Sequence, residues 1–261
     1  MSSDNPAVIT CAISGTLANR DQCPAIPYTP AEYAAEARRI VDEGGVHIHI
    51  HARTPDGVPS YEIEDFRAIR NAIVDEIGDA AIINFSTGTI GVSVAKRVAY
   101  LEAVRPEVAA LNMGSMNYAK YSARRKDFVF KTVFESSLDE IIEFLGEMNR
   151  LGIKPEHECF DLGQVGVLWT LLDIGVLHAP LHVDFVMGVV GGIRPTTRNL
   201  AAMVDNLPAV EHHWGVIGIS REQWNLVAKA RQMCEDVGRR PATVDEARAM
   251  LGLPHRVPAS A

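Results

Sequence analysis

Short apolar segments recur along the chain, each closed by a turn signal and followed by a stretch of helical period. This alternation restricts the fold to a parallel sheet with crossover helices. The apolar segments are AVITCAI (7–13), VHIHIH (46–51), AIINFST (81–87), VAALNMG (108–114), HECFDLG (157–163), LHVDFVMG (181–188) and HHWGVIGIS (212–220). Between them, helices are predicted over 29–45, with Thr29 as cap, Pro30 in the first turn and a glycine stop, and over 60–78, 92–104, 137–152, 164–175 and 196–207. Seven β/α units in order point to a TIM (β/α)8-type barrel, an α/β fold, apparently lacking the usual eighth strand unit. After GISREQW the chain is helical in pattern to near its end and contains no eighth apolar strand. An open doubly wound sheet is the alternative that a missing strand keeps open. No glycine, serine or proline-rich linker divides the 261 residues, so a single domain over 1–261 is expected.

The charge balance narrows the partners. With 33 Asp+Glu against 25 Lys+Arg the net charge is −8. That argues against nucleic acid or an anionic membrane surface. Four cysteines are few for this length, and reduced thiols in a cytoplasmic protein are the expectation. No leader-like segment opens the sequence, and no run of about 18 apolar residues occurs, so no membrane span is expected.

The strongest chemical signal is VHIHIHAR, residues 46–53. In a strand, alternate residues share a face, so His47, His49 and His51 point one way. Reactive groups in barrels gather at the carboxyl ends of strands, which puts His51 at the mouth, His49 beneath it and His47 deepest. Same-face neighbours start roughly 6–7 Å apart, close enough for two imidazoles to lean onto one ion, whereas the outer pair lies roughly 13 Å apart. His49 and His51 are therefore the candidate metal ligands, with Zn2+ the favoured divalent ion. His47 is expected to be a hydrogen-bonded core residue.

Other strand ends carry polar groups that could orient carbonyl or carboxylate oxygens: Asn84, Ser86, Thr87 and Gly88 in NFSTG, and Asn112, Gly114, Ser115 and Asn117 in LNMGSMN. Each alone reads first as turn chemistry, whereas together, facing the histidine end, they read as a substrate rim. Gly191 and Gly192 allow close backbone approach, and N–H groups there could hold a carboxylate. Glu158 and Asp161 are acidic groups on or beside an apolar strand, where a structural hydrogen bond and a catalytic role both stay open.

ITCAISG (9–15), HIHARTPDG (49–57), NFSTG (84–88), LNMGSMN (111–117), PEHECFDLG (155–163), FVMGVVGGIRPT (185–196) and HWGVIGISR (213–221) together resemble, in order, the β-keto acid cleavage enzymes. The resemblance implies a zinc-dependent TIM barrel, usually a homo-oligomer, that exchanges acyl groups between a β-keto acid and acetyl-CoA by a retro-Claisen reaction. It implies His49 and His51 as metal ligands and Ser86 and Asn112 as catalytic positions, while Thr87, Gly88, Ser115, Gly191 and Gly192, read from the strand ends alone, are the candidate substrate-binding rim. The family's eighth-strand Arg-x-Gly-x-Glu-Asp motif, which supplies the third metal carboxylate, has no match in 222–261, and Leu17 stands where a catalytic glutamate is expected. Glu222 is a candidate substitute ligand. Two other readings stay open: a catalytically impaired barrel or binding protein, and a metal-dependent amide or ester hydrolase.

Overall fold

The computed structural model of the chain describes residues 6–15, 17–217 and 223–254. In chain order its elements are β1 (Pro6–Ala7), β2 (Thr10–Ala12), α1 (Pro30–Asp42), β3 (His47–Ile50), α2 (Ile63–Ile77), β4 (Ile82–Ser86), α3 (Val94–Val104), β5 (Val108–Asn112), β6 (Met116–Ser122), β7 (Asp127–Phe134), α4 (Leu138–Leu151), β8 (Lys154–Cys159), α5 (Leu162–Asp173), β9 (Leu181–Val186), α6 (Thr197–Asp205), β10 (His212–Ile217), α7 (Gln223–Asp236), β11 (Arg240–Pro241) and α8 (Val244–Met250). Seven strands form one sheet in the order β10-β9-β8-β5-β4-β3-β2. The β2–β3, β3–β4, β8–β9 and β9–β10 pairings are all parallel. Each step along this sheet is one β/α unit, the progression of the TIM-barrel class that the sequence implies.

No eighth strand joins that sheet among the described residues. The chain after α7 instead makes the short β11, which pairs in parallel with β1 (Pro6↔Arg240, Ala7↔Pro241), and then α8. The segment read as one strand over 7–13 is accordingly divided: β1 belongs to this ribbon and β2 to the sheet. The strand expected at 157–163 lies at Lys154–Cys159, because the Asp161 side chain accepts from Gln164 N and starts α5 there. The antiparallel β6–β7 hairpin was not predicted from the sequence.

The chain forms two compact units, one of 1–86, 99–108 and 220–261, the other of 87–98 and 109–219. In the first, α1 opens with a reciprocal capping box between Thr29 and Glu32 and buries Tyr33, Ala37 and Ile40. Helix α2 buries Phe66, Ile69, Ile73 and Ile77, the spacing of one helical face. Phe66 stacks on Tyr100 at 3.8 Å and meets Phe85 edge-on at 5.0 Å. Strands β3 and β4 are buried throughout, as strands covered on both faces must be. Below them, Val46, Ile82 and Val108 pack with Ala242, Ala247, Leu251 and Leu253. In the second unit, α4 carries a Ser137–Glu140 capping box and buries Ile141, Phe144, Leu145, Met148 and Leu151. Strands β5, β8 and β9 supply its buried sheet.

Candidate metal centre and strand-end site

His47 and His49 lie on β3 and His51 follows its last residue, and the three rings have different surroundings. His47 is fully buried and its Nδ1 lies 2.9 Å from Thr10 Oγ1 on β2. Burial, with a smaller push from His49, lowers its pKa to about 3. It is a neutral imidazole in a hydrogen-bonded core setting.

His49 and His51 converge instead. Their Nε2 atoms stand 3.2 Å apart, with ring centroids at 5.1 Å. Two nitrogens bound to one tetrahedral zinc at 2.0–2.1 Å would be roughly 3.3–3.4 Å apart, so the pair already has ligand spacing. Asn84, the residue paired with His49 across β3–β4, sets its amide Nδ2 3.3 Å from His49 Nδ1. An asparagine amide presents either end; with Oδ1 turned inward it accepts Nδ1–H and leaves the Nε2 lone pair for an ion. Burial, His49 and Arg53, in that order, drive the His51 pKa well below its ordinary value. A neutral ring is the form that ligates.

The backbone of His51 is fixed by three hydrogen bonds with two side chains. Ser14 Oγ donates to His51 O at 2.8 Å and accepts from His51 N at 2.9 Å, and Tyr33 Oη donates to the same carbonyl at 2.7 Å. Beyond it the buried Arg53 guanidinium donates to Gly15 O, Ala18 O and Gly57 O, tying the loop after β3 to the loop after β2. Ser86 ends β4, is buried, and has its carbonyl held by Tyr100 Oη at 2.9 Å.

In the second unit, Thr87 donates its hydroxyl to Ala110 O at 2.6 Å and its N–H to the same oxygen, a clip onto β5. That gives Thr87 a structural occupation in place of a free rim hydroxyl, while Gly88 comes next and is half-buried. Asn112 ends β5 and is buried, its carbonyl accepting from Ser136 Oγ at 2.9 Å, and its amide has no hydrogen-bond partner among the described residues. Ser115 is exposed and accepts from Ser136 N at 2.8 Å. Gly191 and Gly192 are glycines for steric reasons. A Cβ on Gly191 (φ +103) would lie 1.6 Å from Asn117 O, and one on Gly192 2.8 Å from Phe160 O. The Gly192 N–H is taken by Val189 O at 3.0 Å.

A second ligand-type cluster was missed in the sequence. Glu156 and Glu158 on β8 pair in register with His182 and Asp184 on β9, so the four side chains share a face, and all are buried. His182 Nε2 is 3.6 Å from Glu156 Oε1, and Glu156 offers oxygens within 4.8 Å of ligand atoms of both His182 and Glu158. The signal was available: EHE and HVD repeat the alternation of HIHIH. His157, between the two glutamates, faces away and binds His182 O through Nδ1 at 2.7 Å; burial lowers its pKa to about 4. Asp161 is the cap of α5 rather than part of this cluster. Glu222 lies outside the described residues.

Parallel β/α units carrying imidazole, carboxylate, hydroxyl and amide groups on their strands and carboxyl ends define an enzyme of the TIM-barrel class. The chain belongs to the β-keto acid cleavage enzyme family, whose model matches residues 6–230. A 3-keto-5-aminohexanoate cleavage enzyme of Acetoanaerobium sticklandii is 32% identical over 223 residues, 85% of this chain and 77% of that protein. A 3,5-dioxohexanoate:acetyl-CoA acetone transferase of Paraburkholderia graminis is 32% identical over 250 residues, 87% of this chain and 79% of that protein. The solved apo structure of ObcA matches with a TM-score of 0.63 at 17% identity, over 88% of this chain and 66% of ObcA, a likeness of fold. No helix among the described residues is long and apolar enough to cross a membrane.

Proposed function

We propose that the protein is a zinc-dependent β-keto acid cleavage enzyme that takes acetyl-CoA as co-substrate. The reaction is R-CO-CH2-COO⁻ + CH3-CO-SCoA → CH3-CO-CH2-COO⁻ + R-CO-SCoA, a retro-Claisen exchange in which acetoacetate leaves with the carboxymethyl carbons of the keto acid. The observation that carries the reading is the 3.2 Å separation of His49 Nε2 and His51 Nε2 in a chain of this family. When bound there, a divalent ion supplies Lewis-acid polarisation of a keto oxygen.

The chain's own groups do the rest. His49 and His51 would hold the ion, and Asn84 would orient the His49 ring. Ser86 and Asn112 are the candidate catalytic positions: a hydroxyl and an unengaged amide that orient substrate oxygens and donate to developing negative charge. Gly88, Ser115, Gly191 and Gly192 form the rim that admits the keto acid, and Thr87 holds that rim to β5. We assign the protein to the cytoplasm and to a homo-oligomer on the same reading, with 1–261 as one catalytic domain.

The test is incubation of the zinc-loaded protein with acetyl-CoA and a panel of β-keto acids, following acetoacetate and new acyl-CoA by mass spectrometry. Product from at least one keto acid is expected, and none from the His51→Ala protein. Zinc bound at His49 and His51 without any acyl-CoA product would instead favour the impaired or binding-protein reading, which draws on the missing Arg-x-Gly-x-Glu-Asp match in 222–261. The Acetoanaerobium and Paraburkholderia relatives are cleavage and transfer enzymes, which leaves the hydrolase reading behind.

A further inference from the structure

The β6–β7 hairpin opposes the charge of the rest of the chain. A protein of net charge −8 places Lys120, Arg124, Arg125, Lys126 and Lys131 on this one ribbon, against a single carboxylate, Asp127. All five cations are exposed, and none is ion-paired among the described residues. Three are consecutive in the turn. There Ser122 Oγ accepts from Arg125 N at 3.3 Å, Arg125 Nη2 donates to Phe128 O at 3.4 Å, and Lys126 adopts φ 52. Arg124 and Lys126 take no part in those side-chain bonds, so their charges face outward from a formed turn.

Aromatic rings accompany the charge. Tyr118 meets Phe130 at 5.5 Å and Phe134 at 6.4 Å, and at the tip Tyr121 meets Phe128 at 5.9 Å. Tyr121 and Phe128 are 50% and 39% exposed, so both rings reach solvent at the tip. The base of the ribbon is anchored. It leaves β5 directly after Asn112, through Ser115 held by Ser136 N, and Ala119 bridges to Val190 where Gly191 lets the two backbones touch. At about 3.3 Å per residue, the seven residues of β6 carry the tip roughly 20 Å from that strand end.

We propose that this hairpin is the docking arm for the nucleotide end of the co-substrate: Arg124, Arg125, Lys126 and their neighbours bind the phosphates of coenzyme A, and the Tyr121–Phe128 pair offers its adenine a stacking face. The inference rests on acetyl-CoA being the co-substrate. The ligand must combine concentrated phosphate charge with a planar base, and must span the length of β6 to bring its thioester to the strand end; a 3′-phosphomonoester and a diphosphate on an extended pantetheine arm meet all three requirements. A second copy of a chain of net charge −8 would offer diffuse carboxylates and no reason for a run of three cations at the tip.

The test uses the full chain and the double variant Arg124→Ala with Lys126→Ala, which removes exposed charge and no hydrogen bond of the turn. Titration calorimetry with adenosine 3′,5′-bisphosphate should show an affinity about tenfold or more lower in the variant, and a weaker dependence on salt. The preference for coenzyme A over pantetheine should fall by the same factor. Equal affinity of the two proteins for the bisphosphate, or no binding to either, overturns the arm, and so does a variant altered only in molecular mass by light scattering, which would mark the hairpin as a contact between copies. Nucleotide binding that the variant loses, in a protein that forms no acyl-CoA, supports the arm while defeating the acyl-transfer reading. Acyl transfer with nucleotide binding indifferent to the variant does the reverse.

Discussion

His51 owes its position to bonds its ring does not make. Ser14 and Tyr33 hold its backbone, so the ring can turn its Nε2 toward His49 without a side-chain tether of its own. His49 has such a tether in Asn84, and removing an orienting partner of a metal-ligating histidine typically costs 10–100-fold in metal affinity. The Asn84→Ala protein is therefore expected to bind Zn2+ about 10–100-fold more weakly, measured by competition with a chromophoric chelator. Thr10→Val, which removes the hydroxyl at His47, should leave zinc affinity where it was. Equal losses in the two variants would show that the strand, not the particular imidazole, governs binding. The pair was legible in the sequence because period-two spacing and ligand reach are local. Glu156, His182 and Asp184 show the same alternation within their own strands, but their grouping depends on the register between β8 and β9, which no stretch of sequence states.

Among the elements, capped helices were the most legible. Thr29, Pro30 and Glu32 set the start of α1 where the sequence places it, and the Glu32 carboxylate closes the capping box while also accepting from Tyr28 N at 2.9 Å and Arg20 Nη2 at 2.6 Å. Partial burial works against ionisation of Glu32, but the Thr29 and Tyr28 N–H groups and the Arg20 guanidinium outweigh it and hold the pKa at about 2, below the ordinary 4.5. A carboxyl with a depressed folded-state pKa stabilises the fold above its unfolded value, and that contribution is lost as pH falls toward the folded one. Glu32→Gln should therefore lower stability at pH 7 by about 0.5–1 kcal/mol, a figure reduced for the solvent screening of a half-exposed pair. In denaturant titrations at successive pH, the gap between the two proteins should close between 4.5 and about 2. A gap that persisted at the acid end would assign the effect to shape rather than charge. The hairpin was the least legible element: its two faces are both largely exposed, so apolar and polar residues do not sort by side as they do on a half-buried strand.

At the scale of the whole molecule, the order of the β/α units was readable because each carries its own apolar strand and helical period. The β1–β11 ribbon was not, since a two-residue strand shows no period and its partner is remote; beside it, Arg239 reaches Pro6 O across 233 residues of sequence. The segment after α7 has a definite task within the first unit. Ala242, Ala247, Leu251 and Leu253 cover Val46, Ile82 and Val108, which lie at or just before the amino ends of β3, β4 and β5. In this class of fold that end serves stability, and chemistry belongs to the other. Arg248 secures the segment: its guanidinium, 3% exposed, meets Glu107 at 2.7 Å and 3.4 Å and donates to Asp79 O at 3.0 Å. Removing one partner of a buried pair strands the other charge, at a cost of about 3–5 kcal/mol, whereas replacing both by apolar groups of similar volume is close to neutral. Arg248→Ala should therefore fall in that range by urea unfolding, and Arg248→Met with Glu107→Leu should recover most of the loss. Because the pair sits at the amino ends, the zinc content of the Arg248→Ala protein that remains folded should equal that of the parent. Loss of zinc from a still-folded Arg248→Ala protein would mean that the terminal segment serves the metal centre as well as the fold.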